Sequence, residues 1–229
     1  MRFHPADTMS LALFCLFSVI MGGILYREFF QRGAHSKQII GFTSMLIIVS
    51  MFAAAGIFER YVFPLVPIFL FMLVGSAVAF GFSEFGRKVA EHRSLSILVG
   101  FQSFRLPLEL ILHHWAGSDV IPETMTWSGQ NWDVITGILA VVIAPIANRS
   151  KAAVFAFNLI GSLLLLNVAR VVIFSLPLPI SWGLENPLQL PFHFPYILIA
   201  PLFVWPAFFA HVVLWRKMLS KNHVNDLVK

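Results

Sequence analysis

Cysteine is nearly absent: Cys15 stands alone among 229 residues, which excludes internal disulfides, CxxC redox chemistry and thiolate metal cages. Charge is scarce too. Only 12% of residues are charged and 58% are hydrophobic, against the roughly one quarter charged that a soluble domain carries. The chain contains no P-loop, EF-hand, HExxH or Rossmann glycine pattern. A GxSG serine motif is absent, and the last apolar stretch has no lysine for a retinal Schiff base. No internal repeat stands out and no linker is long enough to divide the chain, so residues 1–229 read as a single domain.

What the chain does have is apolar length. Seven stretches qualify, at residues 10–26, 38–58, 61–82, 94–115, 133–147, 152–174 and 195–215. Most match the roughly 20 residues a helix needs to cross about 30 Å of hydrocarbon. None shows the ten-residue alternation of a spanning barrel. The expectation is an all-α, polytopic bundle of seven transmembrane helices.

Basic residues orient that bundle. Arg27, Arg32, Lys37, Arg87, Lys88, Arg93, Arg149, Lys151, Arg216, Lys217, Lys221 and Lys229 fall on one side, and only Arg2 and Arg60 on the other. The two longest loops of that other side, 116–132 and 175–194, carry acidic residues but neither lysine nor arginine. The positive-inside rule then sets the N-terminus outside and the C-terminus in the cytoplasm. Trp115, Trp127, Trp132, Trp182, Tyr61 and Tyr196 fall at outer helix ends or loops, where amphipathic rings favour the interface. The first stretch has its positive charges after the apolar run and no small-x-small cleavage site, so it reads as a retained helix. The formal charge of +5 is thus a matter of topology, and no nucleic-acid partner is implied.

Polarity inside the membrane is uneven. Residues 1–93 form three stretches with almost no internal charge, a scaffold half, whereas residues 94–229 carry Arg105, Glu109, His113, Asn158, Asn167, Arg170 and His211. Gln102, Arg105, Glu109 and His113 share one face of the fourth helix within an arc of about 80°. Ionisable groups aligned this way point at a partner helix or a water-filled cavity, not at lipid. Arg105 and Glu109, spaced i,i+4, are expected to pair along the helix, although Arg before Glu is the poorer order. Pro107 deprives the Ser103 carbonyl of its helical donor and should kink the helix there.

Depth follows from the same topology. Arg105 lies near the midplane, Glu109, Asn167 and Arg170 in the outer leaflet, and His113 near the outer interface. The fifth stretch, with about fifteen apolar residues, is only about 22 Å long as a helix. Its outer end should start below the interface, with Asp133 as N-cap and the polar run 129–132 feeding it from a cavity. Glu109, His113, Asp133 and Arg170 are then expected in one outward pocket roofed by the two acidic loops. Gln102, Arg105, Asn131 and Asn167 complete the candidate ligand-binding set. The bland alternative is an ion pair that neutralises charge and locks helix packing.

No metal or cofactor is expected. Adjacent His113 and His114 point about 100° apart on a helix and cannot easily share an ion. His211 reads as a lone packed or interfacial histidine. The prolines of the last outer loop, 177, 179, 187, 191 and 195, suit a stiff lid or a plain connection.

Two resemblances accompany these readings. The run Arg105-x-Pro107-x-Glu109-x-x-Leu112, followed by Met125-Thr126-x-x-Gly129-x-Asn131-x-Asp133, resembles part of an uncharacterised family of bacterial multi-pass inner-membrane proteins. That likeness implies location and fold but no activity. The fifth and sixth helices, ending in Asn167-Val168-Ala169-Arg170, resemble the core of exosortases and archaeosortases, membrane transpeptidases that use an outward-facing Cys, Arg and His. Arg170 matches that arginine and His193 is the candidate histidine. The nucleophile's place holds no Cys, so thiol acyl transfer does not carry over.

Three functional classes remain open. The first is a lipid- or small-ligand-binding or structural component of an envelope assembly, whose partners are membrane lipids and other membrane proteins. The second is a small transporter or channel. The third is a membrane-embedded transferase or hydrolase, with Glu109 or His113 as general base, Arg170 stabilising an oxyanion, and His193 as a further catalytic candidate.

Overall fold

The computed structural model describes residues 3–31 and 36–220. Arg2, Arg32, Lys221 and Lys229, all used in the charge count, lie outside the described residues. Among the described residues every regular element is helical. Six helices are long and apolar enough to cross a membrane: α1 (Thr8–Phe30), α2 (Ser36–Ala54), α3 (Val62–Phe82), α5 (Leu95–Gly117), α7 (Lys151–Ser175) and α8 (Tyr196–Leu219). The chain is therefore a multi-pass integral membrane protein. Between them come the short amphipathic α4 (Glu84–His92) and the apolar α6 (Val134–Ile146). Both ends of most apolar stretches agree with the sequence reading to within a few residues. The fifth is the exception in kind: α6 is too short to count as a full crossing by length alone.

Burial ranks the helices. In the most apolar window of α8, 78% of residues are buried, against 11% in α2, so α8 is the central mast and α2 is peripheral. Trp205 and Phe209 on α8 stack at 5.3 Å, and Phe209 meets Phe29 of α1 and Phe85 of α4 at 5.3 and 5.4 Å. Such aromatic packing supplies large contact area with fixed geometry. Trp115 of α5, fully buried, donates its indole N–H to Ser10 Oγ of α1 at 2.9 Å and ties the C-terminal half of α5 to the first helix.

Several basic residues cap helix ends. Helix C-termini leave carbonyls without donors and carry partial negative charge, which cations satisfy. Arg93 donates to the carbonyls of Arg27 and Glu28, both at 2.5 Å, where α1 ends. Arg216 donates to those of Gly81 and Ser83 at 3.2 and 2.6 Å at the end of α3, and Lys217 to that of Ala90 at 2.5 Å in α4. These residues define a basic end of the bundle. The opposite end carries the loops 118–133 and 176–195 and is called the loop end below.

Near its middle α5 tightens into a 3-10 turn at Gln102–Phe104, one turn before Pro107, where the missing N–H of that proline leads one to expect a kink. α6 runs antiparallel to α5: its last turn, Ala144–Ile146, packs against Leu95–Phe101, and its first part against Arg105–Gly117. Ser96 Oγ donates to the Ala144 carbonyl at 2.6 Å and fixes this register. Because α6 begins only at Val134, the preceding loop must descend into the bundle to reach it. Met125, Thr126 and Asn131 of that loop are buried.

Candidate functional site

Arg105 is the centre of a buried polar network drawn from four helices. Its side chain is 1% exposed and uses each guanidinium nitrogen. Nε donates to Gln102 Oε1 at 3.1 Å, a contact that the 3-10 turn makes natural because side chains at i and i+3 eclipse there. Nη1 ion-pairs with Asp133 Oδ1 at the start of α6. Nη2 lies 3.4 Å from His211 Nε2 on α8. Gln102 in turn donates to the Ala207 carbonyl at 3.2 Å.

The histidine's orientation follows from its neighbour. Asn158 Nδ2 on α7 donates to the His211 carbonyl at 3.2 Å, which leaves its Oδ1 facing His211 Nδ1 at 2.7 Å. An amide oxygen only accepts, so Nδ1 carries the hydrogen and Nε2 is free to accept from Arg105. Gly161 makes room for this ring. A Cβ there would sit 2.6 Å from His211 Cε1 and 3.0 Å from Thr136 Cγ2.

The sequence pairing of Arg105 with Glu109 is overturned. Arg105 takes Asp133 instead, because i,i+4 in the Arg-before-Glu order is weak on a helix and a carboxylate at a helix N-terminus also meets the positive end of the dipole. Asp133 occupies the N-cap position of α6, yet its side chain makes no capping hydrogen bond, being turned to Arg105. Glu109, 2% exposed, accepts from Asn131 Nδ2 at 2.8 Å through Oε1, while Oε2 has no partner. Asn131 also donates to the Met125 carbonyl at 3.0 Å and accepts the Asp133 N–H at 3.2 Å. One amide thus staples the descending loop to α5.

Glu109, His113, Asp133 and Arg170 do not share a single pocket. They occupy three neighbouring environments. Glu109 and Asp133 are in the network. His113 is exposed, stacked on Trp127 at 4.1 Å with Nδ1 3.5 Å from Ser128 Oγ. Arg170 is exposed on α7, donating to Asn167 Oδ1 at 2.8 Å and Gln130 Oε1 at 3.1 Å, with its guanidinium 5.5 Å from the Trp182 ring. Asn167 Nδ2 donates to the Gln130 carbonyl at 2.7 Å, so these two residues grip the loop from the far side.

His113 instead lines a groove of about 480 Å³ at the loop end. Asp119, Glu123, Thr126, Ser128 and Glu185 line it as well, and no lysine or arginine does. Asn186 Nδ2 donates to the Asp119 carbonyl at 2.9 Å and joins the two roofing loops. Sequence reasoning placed none of these carboxylates in the candidate ligand-binding set, although the absence of Lys and Arg from both loops was the signal. It also took His211 for a solitary histidine, where Arg105 and Asn158 hold it on two sides.

His193 stands apart, stacked on Phe3 at 3.9 Å, and burial pushes its imidazole below the usual histidine value, against an opposing pull from Glu59. The N-terminal segment that covers it is fastened by the Ala6 N–H to the Tyr196 hydroxyl at 2.8 Å and by Asp7 to His114 at 3.0 Å. Hydrogen bonds from the Ser10 hydroxyl and N–H, then His114, hold the Asp7 carboxyl well below the usual carboxylate range. Among the described residues no group of three or more His, Cys, Asp and Glu has metal-binding geometry.

In comparisons with known proteins, no family model, no curated protein and no solved structure matches this chain.

Proposed function

We propose that this is a seven-helix protein of a bacterial inner membrane, N-terminus outside and C-terminus cytoplasmic, that binds a zwitterionic lipid headgroup at its outer face as part of an envelope assembly. The observation that carries the reading is the loop-end groove, with three carboxylates and neither lysine nor arginine in its lining. An ammonium group suits that lining. The phosphate of the same headgroup would meet Arg170, whose guanidinium is joined to the groove through the turn from Ser128 to Gln130. The inward-facing charges support binding over conduction: Arg105 has all three guanidinium nitrogens engaged by the protein, which makes a filled stripe, not an open path. In this reading α6 and the descending loop together make the fifth crossing, irregular backbone being tolerated where protein buries it.

Two measurements test it. Native mass spectrometry of protein released from mixed vesicles should show phosphatidylethanolamine retained over phosphatidylglycerol, and an Asp119→Asn, Glu123→Gln, Glu185→Gln variant should lose that preference. Equal retention of both lipids by the unaltered chain would dismiss the headgroup site. For orientation, in a Cys15→Ser background Ser118→Cys should react with an impermeant thiol reagent from outside and Arg149→Cys only after lysis; the reverse pattern would invert the topology.

A second reading has one specific contact in its favour. Ser128 Oγ and His113 Nδ1, 3.5 Å apart in the groove, have the residue types of a nucleophile and its general base. This would make the chain a hydrolase or transferase related to the exosortase arrangement without its thiol. Covalent labelling of Ser128 by a fluorophosphonate is its test.

A further inference from the structure

We infer that Glu109 is a proton-exchange site inside the bundle, reached from the loop-end groove through His113. The inference uses the groove only as a route to water, so it stands whether or not a headgroup binds there. Its basis is charge and hydrogen-bond accounting. The network has one cation, Arg105, and two carboxylates, and Arg105 is committed to Asp133. Glu109, 2% exposed, is left with an amide partner on Oε1 and nothing on Oε2. A buried acceptor without a donor is a costly thing to keep, and in membrane interiors such carboxyl groups are the stations of proton relays.

Access is short. His113 is one helical turn from Glu109 on the same face of α5, about 6 Å along the axis. Its ring is exposed to the groove and oriented by the Trp127 stack. Asp119, Glu123 and Glu185 around the groove raise the local proton concentration. The other titratable groups near Glu109 are accounted for: Asp133 faces Arg105, Arg170 on α7 is turned to Asn167 and Gln130, and His211 on α8 faces Arg105 and Asn158. In the transfer an imidazolium N–H of His113 breaks and an O–H forms on Glu109 Oε2 through one intervening water. The imidazole is left neutral and the carboxyl protonated, and groove water reprotonates the ring.

The experiment is infrared difference spectroscopy of the full chain in lipid nanodiscs during exchange from H2O to D2O. A carboxylic C=O band should appear that Glu109→Gln removes and Glu109→Asp shifts, the second variant serving if the first does not fold. His113→Phe should slow deuteration of that band by about tenfold or more, the scale a positioned proton carrier contributes. His114→Phe should leave the rate unchanged, because His114 faces Asp7. No band assignable to residue 109 overturns the site. Unchanged exchange in His113→Phe, or equal slowing in His114→Phe, overturns the route.

Discussion

Removing Arg105 should be among the most damaging single changes in this protein. In Arg105→Met, Asp133 is left 8% exposed with no counter-charge, and Gln102 and His211 each lose a donor. Breaking a buried ion pair from one side costs about 3 to 5 kcal/mol, and the donors also lost to Gln102 and His211 put Arg105→Met at the upper end, near about 5 kcal/mol. Asp133→Asn leaves Arg105 with Gln102 and His211 as acceptors, so about 3 kcal/mol is expected. The double variant removes the mismatch and should cost well under the sum, which makes the coupling about 2 to 3 kcal/mol. Reversible unfolding in mixed micelles, followed by tryptophan fluorescence, measures all four corners of this cycle. A parallel cycle of Arg105→Met with Glu109→Gln should show coupling under about 1 kcal/mol, since the two are not bonded to each other. Additive costs for Arg105 and Asp133, or a larger coupling in the Glu109 cycle, would refute the assignment of partners.

Gly161→Ala should destabilise the same unfolding transition by about 1 to 3 kcal/mol through overpacking, because the new methyl would press on a His211 ring pinned by Asn158 and Arg105. Gly75→Ala, with nothing within 4 Å of its Cβ, should instead be neutral or stabilising by up to about 1 kcal/mol. At His193 burial lowers the imidazole from its ordinary value of 6.5, so unpacked chain binds the proton first. The stabilisation it lends the N-terminal segment is therefore complete above that ordinary value and is lost as pH falls toward the lower, packed-state value. Hydrogen exchange at the Ala6 amide, corrected for intrinsic rate, should show less protection at about pH 5 than at about pH 7, and His193→Phe should flatten the difference. Equal protection at both pH values in the unaltered chain would remove His193 from the fastening.

The helices were legible because their signal is local. An uninterrupted apolar run declares itself whatever it packs against, and Pro107 marked the irregular turn of α5 for a reason internal to the backbone. The shortness of α6 was equally visible, and with it the need for residues 129–132 to reach below the end of α5. Side-chain partners were another matter. Helical periodicity placed Gln102, Arg105, Glu109 and His113 on one face, but a shared face does not give a shared fate: Gln102, Arg105 and Glu109 are buried, while the ring of His113 is exposed a turn beyond Glu109.

The choice of Asp133 over Glu109 shows why depth estimates fall short of contacts. Both carboxylates come within reach of Arg105 by residue counting, and sequence offers only the i,i+4 rule to decide, which names Glu109. What decides in the fold is the backbone. The 3-10 turn stacks Arg105 over Gln102 and aims the guanidinium between α6 and α8, and α6 presents Asp133 at its N-terminus where Gly137 allows a close approach; a Cβ at Gly137 would meet the Leu106 nitrogen at 2.9 Å. Glu109, a turn further on, is then claimed by Asn131 of the descending loop. The same geometry explains why His211 could not be recognised as a partner: it is 106 residues from Arg105, and nothing in its own stretch of sequence says which helix it will face. Neutralising Arg105 internally is also what frees Glu109. Had the local pair formed, the unpaired carboxylate would be Asp133, at the start of α6 and on a different helix from His113, and the proton route inferred above would have no acceptor on α5.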